Sequence, residues 1–299
     1  MDDQPLLSAS IVVAVDGSRA ARQAVFWAAD EAALRGASLL LVHVEAETAD
    51  AVGLPQSTAS CEALLDAEMR AALDVQPQLR ARSQLVRDAV VADGILDVSR
   101  DADLLVLGVD PSRTRASHGA LGPIEERVAV RASCPVVAVS GRLHTTDRTS
   151  SPIVVGWTNT PAGQLALVAG AAAAALRKVR LIVLTVPPVR DPNVEGHVHP
   201  ISPEPALIEG VAAAERRHPG LVIDIAHATG DPTAALVELS ARADLLVLGC
   251  HHTSRPWNYR PGPVAGPALR EAHCPVMLVG RLARIPRQAA GDGASSPRR

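Results

Sequence analysis

Aromatic residues are nearly missing from this chain: one Phe, one Tyr and three Trp make 2% of 299 residues. A pocket walled by stacked rings is thereby excluded, and the core has to be aliphatic, which suits helices layered on a sheet. Cysteine is sparse as well. The four copies show no CxxC or other paired spacing, so neither a disulfide framework nor a zinc site is written into them, and buried reduced thiols are expected. There is no surplus of positive charge either. The 29 Lys and Arg are scattered and outnumbered by 32 Asp and Glu, for a formal net charge of −3, which argues against a nucleic-acid footprint. No run reaches the roughly 18 uninterrupted apolar residues of a membrane span, and the Ala-rich stretch Leu165–Leu176 is too short. The opening MDDQPLLSAS has no positive start followed by an apolar run, so it does not read as a secretory signal. A soluble cytoplasmic protein is expected.

Motifs of the common catalysts are missing too. There is no G-x-S-x-G elbow and no Gly-Lys-Ser/Thr of a Walker loop, which speaks against a hydrolase or kinase. His197, His199, His251, His252 and His273 lack the spaced pattern of metal ligands and read as solvated loop residues. No metal is expected.

What the chain does have is a repeat. Ile11–Ser18 (IVVAVDGS) parallels Ile153–Thr160 (IVVGWTNT) at an offset of 142. ADLLVLG occurs twice without change, at Ala102–Gly108 and Ala243–Gly249, offset 141. Gly122-Pro123 matches Gly262-Pro263, and Cys134-Pro135-Val136 matches Cys274-Pro275-Val276, both at offset 140. Blocks that recur in one order at a nearly constant, long offset mark a duplicated domain, not a solenoid.

Within each copy the apolar runs are short and β-branched: Ile11–Val15, Leu39–Val44, Leu104–Leu107 and Val136–Val139 in the first. Strands apolar throughout are covered on both faces, as in a parallel sheet between helices. Ser18–Arg35 reads as a helix ended by Gly36, and Asp231-Pro232 as an N-cap and first helical residue of a helix to about Arg242. The fold class is therefore α/β, with two tandem doubly wound open parallel sheets of about five strands each. The expected boundaries are 1–141 for the first domain, 142–152 for a linker, 153–283 for the second domain and 284–299 for a disordered tail. Pro187–Pro205, with six prolines, reads as a long loop inside the second domain.

Open parallel sheets bind ligands beyond the carboxyl ends of their strands, where strand order reverses. Two segments of each copy belong there: the turn after the first strand (Asp16-Gly17-Ser18; Thr158-Asn159-Thr160) and the loop after the fourth (Gly108–Gly122; Gly249–Gly262). A Gly-bearing loop feeding a helix N-terminus is a natural anion cradle.

At these residues the chain resembles the universal stress protein family over nearly the whole of both copies. The resemblance rests on the strand followed by Asp16-Gly17-Ser18, on ADLLVLG, on the Gly-rich loop after it, and on the Cys-Pro-Val strands. It implies an adenine nucleotide, usually ATP, held by that loop, with any Mg carried by the nucleotide. The implied binding positions are Asp16, Val44, Gly108 and Gly122 in the first copy, and Val186, Gly249, His252, Gly262, Pro263 and Val264 in the second. It also implies a binding protein rather than an enzyme, acting in stress tolerance through protein partners. The Cys134–Ser140 and Cys274–Gly280 strands, as terminal apolar edges, are implied to pair domain to domain, with a homodimer through edge strands beyond that.

The loops depart from the family pattern. In the first, Pro111 stands where the second Gly belongs, and Gly122 comes one residue late. In the second the spacing of 13 is kept, but His252 replaces the middle Gly. Both place Pro (Pro123, Pro263) where the phosphate-binding Ser belongs, which removes a hydroxyl and an N–H together. Each charge-assisted bond is worth on the order of 1.5–3 kcal/mol, so the pair amounts to roughly a hundredfold in affinity. Glu125 and Glu126 add negative charge at the first copy's helix start, whereas the second copy has Val264-Ala265 there but lacks the Asp, with Thr158 in its place. Each copy keeps a different half of the site. Three readings follow: a weak adenine-nucleotide binder, an interaction module with no nucleotide in either domain, and, least supported because no base or nucleophile converges on the loops, an enzyme.

Overall fold

The computed structural model describes residues 10–46, 58–110, 123–140, 150–186, 204–250, 262–280 and 282–285. The first half runs β1 (Ser10–Ala14), α1 (Arg19–Arg35), β2 (Ser38–Ala46), α2 (Thr58–Val75), β3 (Ala81–Asp88), α3 (Val91–Val98), β4 (Leu104–Val109), α4 (Pro123–Arg131) and β5 (Val136–Ser140). The second repeats it as β6 (Ile153–Gly156), α5 (Pro161–Arg177), β7 (Leu181–Thr185), α6 (Pro205–Arg217), β8 (Ile223–His227), α7 (Pro232–Ser240), β9 (Leu245–Cys250), α8 (Ala265–Glu271) and β10 (Val276–Gly280).

All ten strands form one sheet in the order β3-β2-β1-β4-β5-β10-β9-β6-β7-β8. Every pairing is parallel except the central one. There Val276, Met277 and Leu278 of β10 lie antiparallel to Ala138, Val137 and Val136 of β5. The terminal strands do pair domain to domain, and in doing so they cease to be edges. A homodimer through these strands is therefore closed off, because each is already bonded on both sides. The outer edges are β3 and β8, whose half-polar sequences (ARSQLVRD, IDIAH) carry exposed and half-buried positions. Such mixed strands tolerate an edge, where β5 and β10, chiefly apolar and buried throughout, do not.

Local chemistry sets the helix ends. Ser18 caps α1, its Oγ accepting from the Ala21 N–H at 3.1 Å, and Gly36 closes it at φ +63°, the left-handed conformation glycine adopts without strain. Asp231 caps α7 by accepting from Thr233 and Ala234. Pro205 is the first residue of α6, not the last of a loop, since proline's missing N–H costs nothing at that position. Arg284 and Ile285 are not tail: the Arg284 N–H donates to Ser133 O at 2.8 Å, and Ile285 packs on the core.

One face of the sheet is covered by α1, α2, α5 and α6, which share a continuous aliphatic core reaching from Ile11 to Val279. The other face carries two separate clusters, one within the first domain and one that joins the second domain to Val109, Ala129, Val130 and Ala138 of the first. The shared core also holds a charged group. Glu31 of α1, 2% exposed, accepts from Arg35 Nε at 2.7 Å and from Arg177 of α5 across the domain boundary. Arg177 in turn donates through Nε to Asp244 at 2.8 Å. Burial alone would raise the Glu31 pKa, but the Arg35 and Arg177 guanidiniums overcome that and hold it below its ordinary 4.5.

Glu31→Gln leaves two guanidiniums short of a buried anion, and we expect a loss of about 3–5 kcal/mol in denaturant unfolding at neutral pH. Because the folded pKa is depressed, this stabilisation is present above 4.5 and fades as pH falls through the folded value, so the gap between variant and parent narrows in acid. An undiminished gap in acid contradicts the network.

All four cysteines are buried and unpaired with one another. Burial pushes Cys134 up to about 12 and Cys250 up to about 11. The native protein therefore leaves a thiol reagent unreacted at about pH 8 and releases all its thiols only on unfolding. Fast reaction of either residue in the native state would be incompatible with this packing.

Candidate functional site

Strand order reverses between β1 and β4 in the first half and between β6 and β9 in the second. Because β5 and β10 run antiparallel, the two carboxyl-end crevices open at opposite ends of the sheet. Each is bounded by the turn after the first strand and by the start of the last helix.

In the first crevice Gly17 turns the chain at φ +78°. Asp16 is tied into that turn, accepting from the Ser18 N–H at 2.9 Å. His43 of β2 buttresses it, with Nδ1 2.8 Å from Val15 O. The described walls, which include Asp16, His43, Val44, Gly108, Ile124 and Glu125, enclose about 100 Å³. Two carboxylates therefore face one small space, and the other charge-bearing group there, the His43 ring, already holds a backbone partner.

The second crevice is built differently. Thr160 caps α5 by accepting from the Gly163 N–H at 3.1 Å, and Thr158 Oγ1 meets Thr160 Oγ1 at 3.1 Å. Glu204, just ahead of α6, clamps the turn: it accepts from Asn159 Nδ2 at 2.5 Å and from the Trp157 indole at 3.3 Å. The described walls enclose about 150 Å³ and include Trp157, Thr158, Val186, Gly249, Val264 and Ala265, with no charged side chain among them. A cavity of that size accommodates a six-membered ring.

The expected site residues divide accordingly. Asp16, Val44 and Gly108 do line the first crevice, and Val186, Gly249 and Val264 the second. Gly122 and His252 lie outside the described residues. Gly262 and an exposed Pro263 sit in the turn ahead of α8, whereas Pro123 is itself the first residue of α4; proline begins the helix in one copy only. The offset of 140 sets Val264 against Ile124, so Ala265 and Gly266 are the true counterparts of Glu125 and Glu126. The absence of carboxylates in the second copy stands.

Gly108 and Gly249 have a packing role that their place in a loop motif hides. A Cβ on Gly108 would lie 2.3 Å from the Ala20 carbonyl carbon, and one on Gly249 would lie 2.7 Å from that of Ala162. The first turns of α1 and α5 press onto these strand ends, and only glycine admits them. Sequence reading missed Trp157, His43 and Glu204. The lone Trp where the first copy has Val15 was the one available signal. Among the described residues no cluster of three or more His, Cys, Asp or Glu is placed to hold a metal, and no helix is long and apolar enough to cross a membrane.

Known proteins match both the fold and its duplication. The pattern of the Universal stress protein family fits residues 9–140 and again 150–280. A universal stress protein of Mycobacterium tuberculosis H37Rv is 28% identical over 291 residues, covering 92% of this chain and 98% of its own. One from Mycolicibacterium smegmatis is 27% identical over 300 residues, covering 90% and 96%. The crystal structure of a universal stress protein from Archaeoglobus fulgidus superposes with a TM-score of 0.63 at 15% identity, over 92% of this chain and 99% of that one. That of a putative universal stress protein from Pseudomonas aeruginosa gives 0.58 at 15%, over 92% and 94%. With both halves matched and the geometry repeated, the chain belongs to the universal stress protein family, as two such domains in tandem.

Proposed function

We propose that this protein acts in the cytoplasmic stress response by binding an adenine nucleotide weakly in its second domain and signalling through a protein partner, without catalysis. The observation that carries the choice of domain is the contrast in charge: Asp16 and Glu125 line the first crevice, and no ionisable group lines the described walls of the second. A triphosphate approaching the first site meets like charge at a helix start whose dipole Glu125 and Glu126 already complement. In the second, Trp157 and aliphatic side chains offer a surface for the base. Pro263 explains why binding is weak, since it supplies neither hydroxyl nor N–H to phosphate. Any Mg arrives on the nucleotide.

The interaction-module reading keeps one observation in its favour, the small volume of both crevices against the 300–1,000 Å³ usual for ligand sites.

Calorimetric titration of the whole chain with Mg-ATP separates the two. We expect one weak site per chain, tightened about tenfold or more by Pro263→Ser, weakened by Trp157→Ala and indifferent to Asp16→Ala. No heat at any concentration rejects nucleotide binding and leaves the interaction module; weakening by Asp16→Ala alone assigns the site to the wrong domain.

A further inference from the structure

A cavity larger than either crevice lies in the groove between α5 and α6, sharing with the second crevice's described lining Trp157 alone. It holds about 330 Å³, inside the range of small-molecule sites. Leu167, Ala171 and Ala214 form its aliphatic walls, Trp157 stands at the N-terminal end of α6, and Arg217 and His218 stand at the other. Val168, 42% exposed, lies on its rim.

The first domain shows why this space exists. An offset of 142 brings Leu65 and Ala72 of α2 onto Leu207 and Ala214 of α6, all four buried. In the same register Glu68 corresponds to Gly210, Arg22 to Gln164, Asp30 to Ala172 and Gln76 to His218. Glu68, 1% exposed, fills the first domain's helix seam and accepts from Arg22 Nη2 at 2.8 Å and from its Nε at 3.1 Å. Gln76 donates to Asp30 at 2.8 Å. The second domain has lost both pairs, and at Gly210 the seam is closed by Leu167, whose Cδ2 would lie 2.8 Å from a Cβ on that glycine; the space that remains lies beside this contact.

His218 is left over from this exchange. Its Nε2 is buried and has no hydrogen-bond partner among the described residues, an arrangement that native proteins rarely leave unexplained. Burial, and then Arg217, push its pKa below the ordinary 6.5, so the ring is neutral near pH 7 and Nε2 is either donor or acceptor according to tautomer.

We propose that the α5–α6 groove is a second ligand site, taking a neutral, mostly apolar small molecule that carries one hydroxyl to His218 Nε2. A hydroxyl both donates and accepts, so it serves either tautomer. The body of the ligand matches walls that are chiefly aliphatic. Glu209 and Arg217, the charged residues of the lining, are of opposite sign and select for no net charge. By comparison with a benzene-sized cavity of about 150 Å³, the groove takes roughly eleven to thirteen heavy atoms.

The test uses 4-butylphenol and butylbenzene as probes on the full chain, by ligand-observed NMR and calorimetry. We expect saturable binding of the phenol with Kd on the order of 10⁻⁴ M, and butylbenzene about tenfold weaker. Ala213→Leu, at an exposed position lining the groove, abolishes both. His218→Leu weakens the phenol about tenfold and leaves butylbenzene unchanged. Thermal melts establish that each variant is folded. The proposal is overturned by absence of saturation below about 5 mM, by indifference of a folded Ala213→Leu protein, by an equal effect of His218→Leu on both probes, or by displacement of the phenol with Mg-ATP, which would place it in the nucleotide crevice.

Discussion

Three residue pairs in the antiparallel junction of β5 and β10 join two small domains into one molecule. Both strands are buried along their whole length, so neither can face water, and each supplies the other's missing neighbour. Everything else about the shape follows from that contact. It makes one sheet of ten strands, turns the two carboxyl-end crevices to opposite ends, and brings α1 against α5 so that Glu31 and Arg177 meet. The buried network adds specificity at the boundary, because Glu31 corresponds to Ala173 in the second domain and the ion pair fits the two halves in one sense only.

On this symmetric frame the two domains have diverged where the frame does not constrain them. Gly108 and Gly249 remain glycine, since helix packing against the strand end demands it whatever the loop binds. The turn after the first strand keeps its helix cap, Ser18 or Thr160, but exchanges an Asp16 turn for one clamped by Glu204. The helix seam keeps its buried Leu and Ala and exchanges a Glu68–Arg22 pair for Gly210 against Leu167 with a groove beside them. Trp157 is among the residues bordering both that space and the second crevice. Divergence has made the second domain more open and less charged, and the first more tightly filled.

Much of this was legible in the sequence because it rests on local chemistry or on repetition. The offset blocks revealed the duplication, the unbroken apolar runs revealed the parallel strands, and Ser18, Gly36 and Asp231 marked helix ends at the right residues. The edge strands β3 and β8 were hidden, since their polar alternation resembles loop. Pro205 was ambiguous between loop and helix start, and Arg284 with Ile285 looked like tail because their partners, Ser133 and the core, lie far away in the chain. The site was less legible than the fold. Of the motif glycines, Gly108 and Gly249 do line the two crevices, but Glu204 is held at the second by bonds across 45 and 47 residues, which no local pattern records.

One frame carries two unequal crevices, and we propose that nucleotide occupies the second alone. A crystal structure of the protein grown with saturating Mg-ATP tests it most directly. Ordered nucleotide is expected beyond β6 and β9, with its base against Trp157, and none beyond β1 and β4. A well-ordered triphosphate beside Asp16 and Glu125 would contradict it.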